Sequence, residues 1–334
     1  MWTAMDIREL DALLVLSFGG PEGPQEVMPF LRRVVAGRGV PDDRLEQVAQ
    51  QYRHFGGVSP INAENRGLVD RLAGIAPGQW VGDKVYLGNR NSEPFLADTL
   101  RRMAADGVRT AAVFITSAFS SYSGCRQYRE NLADALAESG ADISLRVLPR
   151  FHDHPLMEQI WTDRLAAALA DGPRTRVVFV THSLPVSAAA RYAAQHEALA
   201  ASIARGAGQR GAGTLDWTMA YQSRSGPPKQ PWLEPDIAET VDSASRDGVE
   251  RVVVAPIGFC ADNLEIRWDL DVTAGGLARD LGLEYLRLDP PQDDNRFVDM
   301  IYDLISIGDG TPCRVGCCRN PRSERTSVGE RADD

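Results

Sequence analysis

The 334 residues carry 36 Lys and Arg against 46 Asp and Glu, a formal charge of −10, with 43% hydrophobic and 25% charged residues, as in a soluble globular protein. An acidic chain without a basic stripe is a poor ligand for nucleic acid, and no polybasic patch is present for anionic lipid. The longest strongly apolar stretch, Val252 to Ala261, is about half the ~20 residues that a membrane helix needs.

Met1 to Asp6 contains no basic region followed by an apolar one, so no signal peptide is expected and the chain reads as cytoplasmic. Apolar runs rich in β-branched residues then predict strands at Ala12–Phe18, Lys84–Leu87, Thr110–Thr116 and Ser144–Leu148, and again at Arg176–Thr181, Leu215–Tyr221, Glu250–Ile257 and Leu283–Leu286. Helical patterns fill the intervals: Gln25–Val35, Asp42–Arg53, Asn62–Ile75, Pro94–Ala105 and Tyr122–Glu138, then Pro155–Ala170, Val186–Arg205, Asp236–Asp247 and Phe297–Ile307. Continuous apolar strands alternating with helices predict an α/β fold whose parallel sheet is buried on both faces. Eight strands fit one sheet or two of four, and the length favours two Rossmann-like domains. The expected organisation is a first domain over 1–149, joined by a C-terminal helix at about 290–309, and a second over 150–289, with the hinge near Pro149-Arg150. Gly310 to Asp334 is a polar tail expected to be disordered.

Five cysteines are present, and Cys313, Cys317 and Cys318 fall in this tail. A tight cluster in a chain without disulfide context suggests metal or redox chemistry. Its C-x3-C-C spacing is not that of a common zinc site, and a four-thiolate site needs one more ligand, from Cys125 or Cys260. The spacing leaves a metal site and incidental tail cysteines equally open.

In open α/β sheets ligands bind beyond the carboxyl ends of the strands, so the residues following each strand are the candidates. No G-x-G-x-x-G or G-x-x-x-x-G-K-[ST] occurs, which removes motif support for dinucleotides and nucleoside triphosphates. Gly19-Gly20 reads as a tight turn rather than a phosphate loop. His182 ends the run Val177 to Val180; taken alone, a histidine there reads as a loop hydrogen-bonding group. Ser183 lacks the G-x-S-x-G elbow of a nucleophile. Glu265 opens Glu265-Ile266-Arg267-Trp268-Asp269, and on a helix Glu265 and Asp269 share one face. Such a pair can pass a cation or protons, although an acidic helix start is also favoured by the macrodipole.

Taken together, the strand-end segments resemble the ferrochelatase family. The matching stretches are Leu13 to Pro24, Phe55 to Asn62, Gly88-Asn89-Arg90-Asn91, Thr181-His182-Ser183-Leu184-Pro185, Tyr221 to Pro227 and Pro256 to Asp271. The resemblance is greatest to the actinobacterial branch, whose members insert ferrous iron into coproporphyrin III to give coproheme. It implies two Rossmann-like domains, each a four-stranded parallel sheet flanked by helices, with a porphyrin cleft between them. It implies that His182 and Glu265 are the catalytic pair and contact Fe²⁺, and that Ser59, Tyr128 and, more weakly, Tyr52 bind the porphyrin. It further implies a [2Fe-2S] cluster held by Cys125, Cys313, Cys317 and Cys318, leaving Cys260 as a structural cysteine. A monomer served by an iron donor and a downstream heme-pathway enzyme is the implied setting. Three positions depart from the family pattern: Asn263 where many members have histidine, Phe18 where relatives often have tyrosine, and Ser92 where an aromatic residue is expected. Asn263 motivates two rival readings, a chelatase for another metal or tetrapyrrole and a non-catalytic tetrapyrrole-binding Fe-S protein.

Overall fold

A computed structural model describes residues 10–75, 84–170, 172–226, 229–307, 313–314, 317–318 and 325–331. It contains two compact units. The first comprises residues up to Thr116, Tyr122–Arg150 and Val298 onward; the second comprises Ser117–Ser121 and Phe151–Phe297. Inclusion of the short segment 117–121 in the second unit has no signature in the sequence.

The first unit is built on β1 (Ala12–Ser17), β2 (Val85–Asn89), β3 (Thr110–Ile115) and β4 (Ser144–Val147), all parallel in the order β2-β1-β3-β4. Around them run α1 (Val27–Val34), α2 (Asp42–His54), α3 (Ile61–Ala73), α4 (Leu96–Ala105) and α5 (Gln127–Ser139). The second unit repeats the plan. It has α6 (Pro155–Leu169), β5 (Thr175–His182), α7 (Ala190–Ala207), β6 (Asp216–Gln222), α8 (Ile237–Arg246), β7 (Arg251–Ala255) and β8 (Glu284–Arg287), with sheet order β6-β5-β7-β8. Both sheets are therefore the four-stranded parallel sheets predicted.

Burial explains why those runs are strands. Every residue of β1 and of β7 is buried, the signature of a central strand covered on both faces. The edge strand β8 alternates between exposed and half-buried positions, because one face reaches solvent. Each unit closes its own core: Leu14, Leu16, Leu100, Val113 and Leu132 pack together in the first, and Val178, Val252, Val254, Ile266 and Leu270 in the second. Local chemistry ends the helices where they end. Asp236 caps α8 by accepting from the Ala238 amide at 2.8 Å, and Glu239 returns the bond to the Asp236 amide at 3.3 Å, a reciprocal capping box. Gly140, at φ +67°, closes α5 in the left-handed conformation that a glycine adopts without strain.

The tail departs from expectation where it is described. β9 (Cys313–Arg314) pairs in parallel with β10 (Glu330–Arg331). Residues just before β10 lie on α5: Arg126 Nη2 donates to the Arg325 carbonyl at 3.0 Å, Arg129 Nη1 to the Gly329 carbonyl at 3.0 Å, and Arg325 forms ion pairs with Asp134 and Glu130. Residues 325–331 are thus ordered, and the expectation of disorder is corrected for them; their sequence is polar, but backbone carbonyls bonded to Arg126 and Arg129 hold them. Among the described residues, no helix is long and apolar enough to cross a membrane.

Candidate active site

In the second sheet the chain leaves β5 for β6 on one side and returns to β7 on the other. The gap beyond the carboxyl ends of β5 and β7 is the topological switch point, where open α/β sheets bind ligands. His182 is the last residue of β5, in register with Gln222 of β6. Glu265 follows β7. The structure brings them together, with His182 Nε2 at 3.6 Å from Glu265 Oε1 and side chains 31% and 48% exposed, so both remain accessible.

The histidine's second nitrogen fixes its tautomer. His182 Nδ1 lies 2.6 Å from the Ser183 carbonyl, an oxygen that only accepts, so Nδ1 carries the proton and the neutral ring presents a lone pair at Nε2. Burial opposes the charged ring, but Glu265 beside it, the Ser183 carbonyl and Asp269 outweigh burial and raise the His182 pKa. Glu265 moves the opposite way: burial would raise it, and the His182 contact together with Ser223 brings it down.

Glu265 stands on a helical run of α9 (Leu264–Ile266), a π segment (Arg267–Ala274) and α10 (Gly275–Asp280). π turns inside helices recur at functional sites. The run starts at Asn263, in extended backbone at φ −151°, whose Oδ1 accepts from the Ile266 amide at 3.0 Å. Asn263 is thus a helix cap, a purpose that the comparison with histidine does not suggest. A clamp of charges fixes the first half of the same run. Asp262 pairs with Arg267 at 2.8 Å and with Arg287 at 3.3 Å, and Arg287 pairs with Asp271 at 2.6 Å. Asp262 and Arg287 are both mostly buried, and stripping one partner from such a pair costs ~3–5 kcal/mol. This exceeds the ~1 kcal/mol of a cap, so the clamp dominates in placing Glu265.

Asp269, one turn on, accepts a hydrogen bond from Ser223. Ser223 takes up φ +60° directly after β6. Burial lifts the Asp269 pKa, the Ser223 bond opposes it, and the charge of Glu265 adds to the rise, leaving Asp269 at about 6. The expected sharing of one face by Glu265 and Asp269 thus acquires a third member, Ser223, from another strand.

Beneath His182 lies a closed polar network. Thr181 Oγ1 bonds to His196 Nε2 at 3.0 Å, His196 Nδ1 donates to the Tyr192 carbonyl at 2.7 Å, and the Tyr192 hydroxyl bonds to Thr181 and, at 3.2 Å, to the His182 carbonyl. His196 is fully buried and stacks on Phe119 with ring centres 3.4 Å apart. Burial pushes its pKa down to about 3, so it stays neutral and structural. Sequence reasoning passed over Tyr192, His196, Asp262 and Arg287. The two on α7 carry one signal, polar residues four apart on a helix otherwise rich in alanine, and the charged pair carries none.

The remaining predicted residues lie in the first unit. Tyr128 is buried on α5, with the Arg90 guanidinium 4.3 Å from its ring centre. Ser59 is buried, its amide donating to the Pro21 carbonyl at 2.8 Å, and a Cβ on Gly20 would strike its side chain. Tyr52 packs on Phe30 with ring centres 6.0 Å apart. Gly19 takes φ +78° and the Gly20 amide donates to Ser92 Oγ at 3.0 Å. That amide is therefore spent on the turn, and a Cβ on Gly19 would strike the hydroxyl of the buried Ser92.

Cys125 is buried in the single π turn Tyr122–Arg126 before α5. Cys317 Sγ and Cys318 Sγ are 3.8 Å apart; two thiolates ~2.3 Å from one tetrahedral metal stand about that far apart. The side chain of Cys313 lies outside the described residues. Among the described residues no group of three or more His, Cys, Asp or Glu is gathered around a metal position. The buried Cys260 carbonyl accepts from the Gln292 amide at 3.0 Å.

Comparison with known proteins matches this architecture. SirB from Bacillus subtilis with Fe3+ superposes with a TM-score of 0.54 at 10% identity, covering 88% of this chain and 94% of that one. CbiX, the terminal enzyme of siroheme biosynthesis in denitrifying bacteria, gives 0.52 at 16%, covering 88% and 97%. At those identities the likeness is one of fold. Closer relatives come from sequence. The coproporphyrin III ferrochelatase of Mycobacterium ulcerans (strain Agy99) is 48% identical over 316 residues, 92% of this chain and 90% of its own. That of Mycolicibacterium smegmatis is 44% identical over 306 residues, covering 88% of each chain, and that of Streptomyces coelicolor 43% over 340, covering 93% and 91%. The profile of the ferrochelatase family matches residues 10–307, across both sheets and every strand-end residue discussed for them, and the chain belongs to that family.

Proposed function

We propose that this chain inserts ferrous iron into coproporphyrin III, yielding coproheme for heme synthesis, with His182 and Glu265 as the catalytic pair. The carrying observation is the His182–Glu265 contact of 3.6 Å at the switch point in a chain of this family. Metallation exchanges two pyrrole N–H protons for one Fe²⁺, the substrate cation. The lone pair on His182 Nε2 takes the two pyrrole protons in turn, passing the first on before it takes the second, and each time the imidazolium is held by the Glu265 carboxylate. Asp269, with a pKa of about 6, is poised to relay each proton outward, and Ser223 orients it. Carboxylates also suit a hydrated divalent cation shedding its water. Ser59, Tyr128 and Tyr52 are proposed to contact the porphyrin. A cytoplasmic monomer, supplied by a ferrous-iron donor and followed by an enzyme that consumes coproheme, completes the reading. Because the Asn263 side chain is engaged as a cap, that position lends no support to a different metal or a lost activity.

The test is an anaerobic assay with Fe²⁺ and either coproporphyrin III or protoporphyrin IX, following loss of the free-base spectrum. Turnover with coproporphyrin III is expected, with His182→Ala slower by a factor of ~10²–10⁴, the usual worth of a positioned base. Parent-like turnover by that variant would remove His182 from the mechanism, and no turnover by the parent would overturn the assignment.

We propose further that Cys125, Cys313, Cys317 and Cys318 hold a [2Fe-2S] cluster. Two features support this: the 3.8 Å spacing of the adjacent thiols, and the tether that binds the tail to α5 beside Cys125. Such a cluster supplies a one-electron centre and a cross-link. Protein purified without oxygen is expected to contain iron and acid-labile sulfide in equal amounts and to lose its visible absorption on Cys317→Ser. Colourless, iron-free parent protein would refute the cluster.

A further inference from the structure

The first unit carries arginines that no carboxylate among the described residues neutralises. Arg90 follows β2 directly and lies between two aromatic rings, its guanidinium carbon 4.3 Å from the centre of Tyr128 and 5.4 Å from that of Phe18. Its Nε donates to Asn131 Oδ1 at 2.7 Å, a neutral acceptor. No carboxylate among the described residues pairs with it. Burial, the largest influence, holds its pKa below the ordinary guanidinium value; Tyr128 and Tyr122 act against that, and the positive charge of Arg38 adds to it. Arg38 and Arg33 also pair with no carboxylate among the described residues; Arg33 instead donates to the Asn91 carbonyl at 2.9 Å and stacks over Phe95 at 5.0 Å.

Several other buried or half-buried arginines are neutralised by carboxylates, although the buried Arg129, among the described residues, meets only backbone carbonyls. Arg126 is held by Glu130 at 3.0 Å, and Arg287 and Arg176 each meet two aspartates. Arginine keeps its charge in proteins. Contact with ring faces is a weak attraction and leaves that charge without a counter-ion. With Nε taken by Asn131 and the Tyr128 hydroxyl a neutral hydrogen-bond partner, the Nη edge of the guanidinium still meets no anion among the described residues, and it is the fork that suits a carboxylate. We infer that Arg90 is a specificity-determining residue that pairs with a carboxylate of the tetrapyrrole substrate. The inference rests on the function proposed above and names the substrate group that this arginine reads.

Binding of metal-free coproporphyrin III, followed by fluorescence without added iron, separates this from turnover. Hydrogen bonds to charged groups are worth ~1.5–3 kcal/mol, so Arg90→Gln should weaken binding roughly 10- to 150-fold. Arg90→Lys, which keeps the charge but not the fork, should fall between, and also serves if Arg90→Gln does not fold. The uncharged tetramethyl ester, in the same detergent, should bind the parent and Arg90→Gln equally. Equal affinity of both proteins for the tetra-acid would overturn the inference, and so would an equal loss for acid and ester, the mark of a packing role. A parent that binds neither compound would overturn the functional reading itself, a result distinct from both.

Discussion

A single hydrogen bond decides what His182 can do. Its Nδ1 proton is committed to the Ser183 carbonyl, so the reactive nitrogen is the one facing Glu265. Burial alone would keep the ring neutral, but the carboxylate wins and raises the pKa above the ordinary 6.5. The base form therefore fills only as pH rises through that higher value, and insertion should accelerate with pH across it. NMR titration of histidine-labelled protein tests this: the His182 signal should titrate above 6.5 in the parent and lower in Glu265→Gln, which loses the largest raising influence. An unchanged midpoint would show that Glu265 does not govern His182. The sequence marks His182 and Glu265 by position after apolar runs, but not the tautomer, which depends on a carbonyl orientation that no residue code records.

The run from Asn263 to Asp280 shows how an element converts sequence into placement. Asn263 sets its first turn, and the Asp262–Arg287–Asp271 clamp holds it against β8. Replacing Asn263 by Ala should cost ~1 kcal/mol of stability and by Asp much less, because Asp also caps; chemical denaturation of the variants measures both. Equal losses would mean that the cap contributes nothing. Of the helical run itself only the start was legible, and only as the condition under which Glu265 and Asp269 share one face. Its π segment was not, since the i→i+5 pattern comes from packing of Ile266, Leu270 and Ala274 on the second core rather than from intrinsic preference.

Among the described residues the two sheets carry separate cores, around β1 and β3 in one unit and β5 and β7 in the other, and α1 and α2 close a further small one. Leu14 is completely buried in the first. Leu14→Ala should cost ~2–5 kcal/mol, and native-state hydrogen exchange should show protection falling in β1, β2 and β3 while β5 and β7 keep theirs, as for independent cooperative units. Uniform loss in both sheets would show instead that the chain opens as one.

The α/β class and the eight strands were readable from residues alone, because hydrophobic periodicity is a local property; His182 and Glu265 stood out only as residues following strands, and their pairing, like the choice of Cys125, came from the family resemblance. Strand order, and with it the switch point between β5 and β7, was decided by the tertiary structure. So were the charge clamp behind Glu265, the buried network under His182 and the rings around Arg90. Each joins residues far apart in the chain whose pairing depends on which strands lie side by side, and hydrogen bonds and charges act across space, where sequence spacing carries no distance.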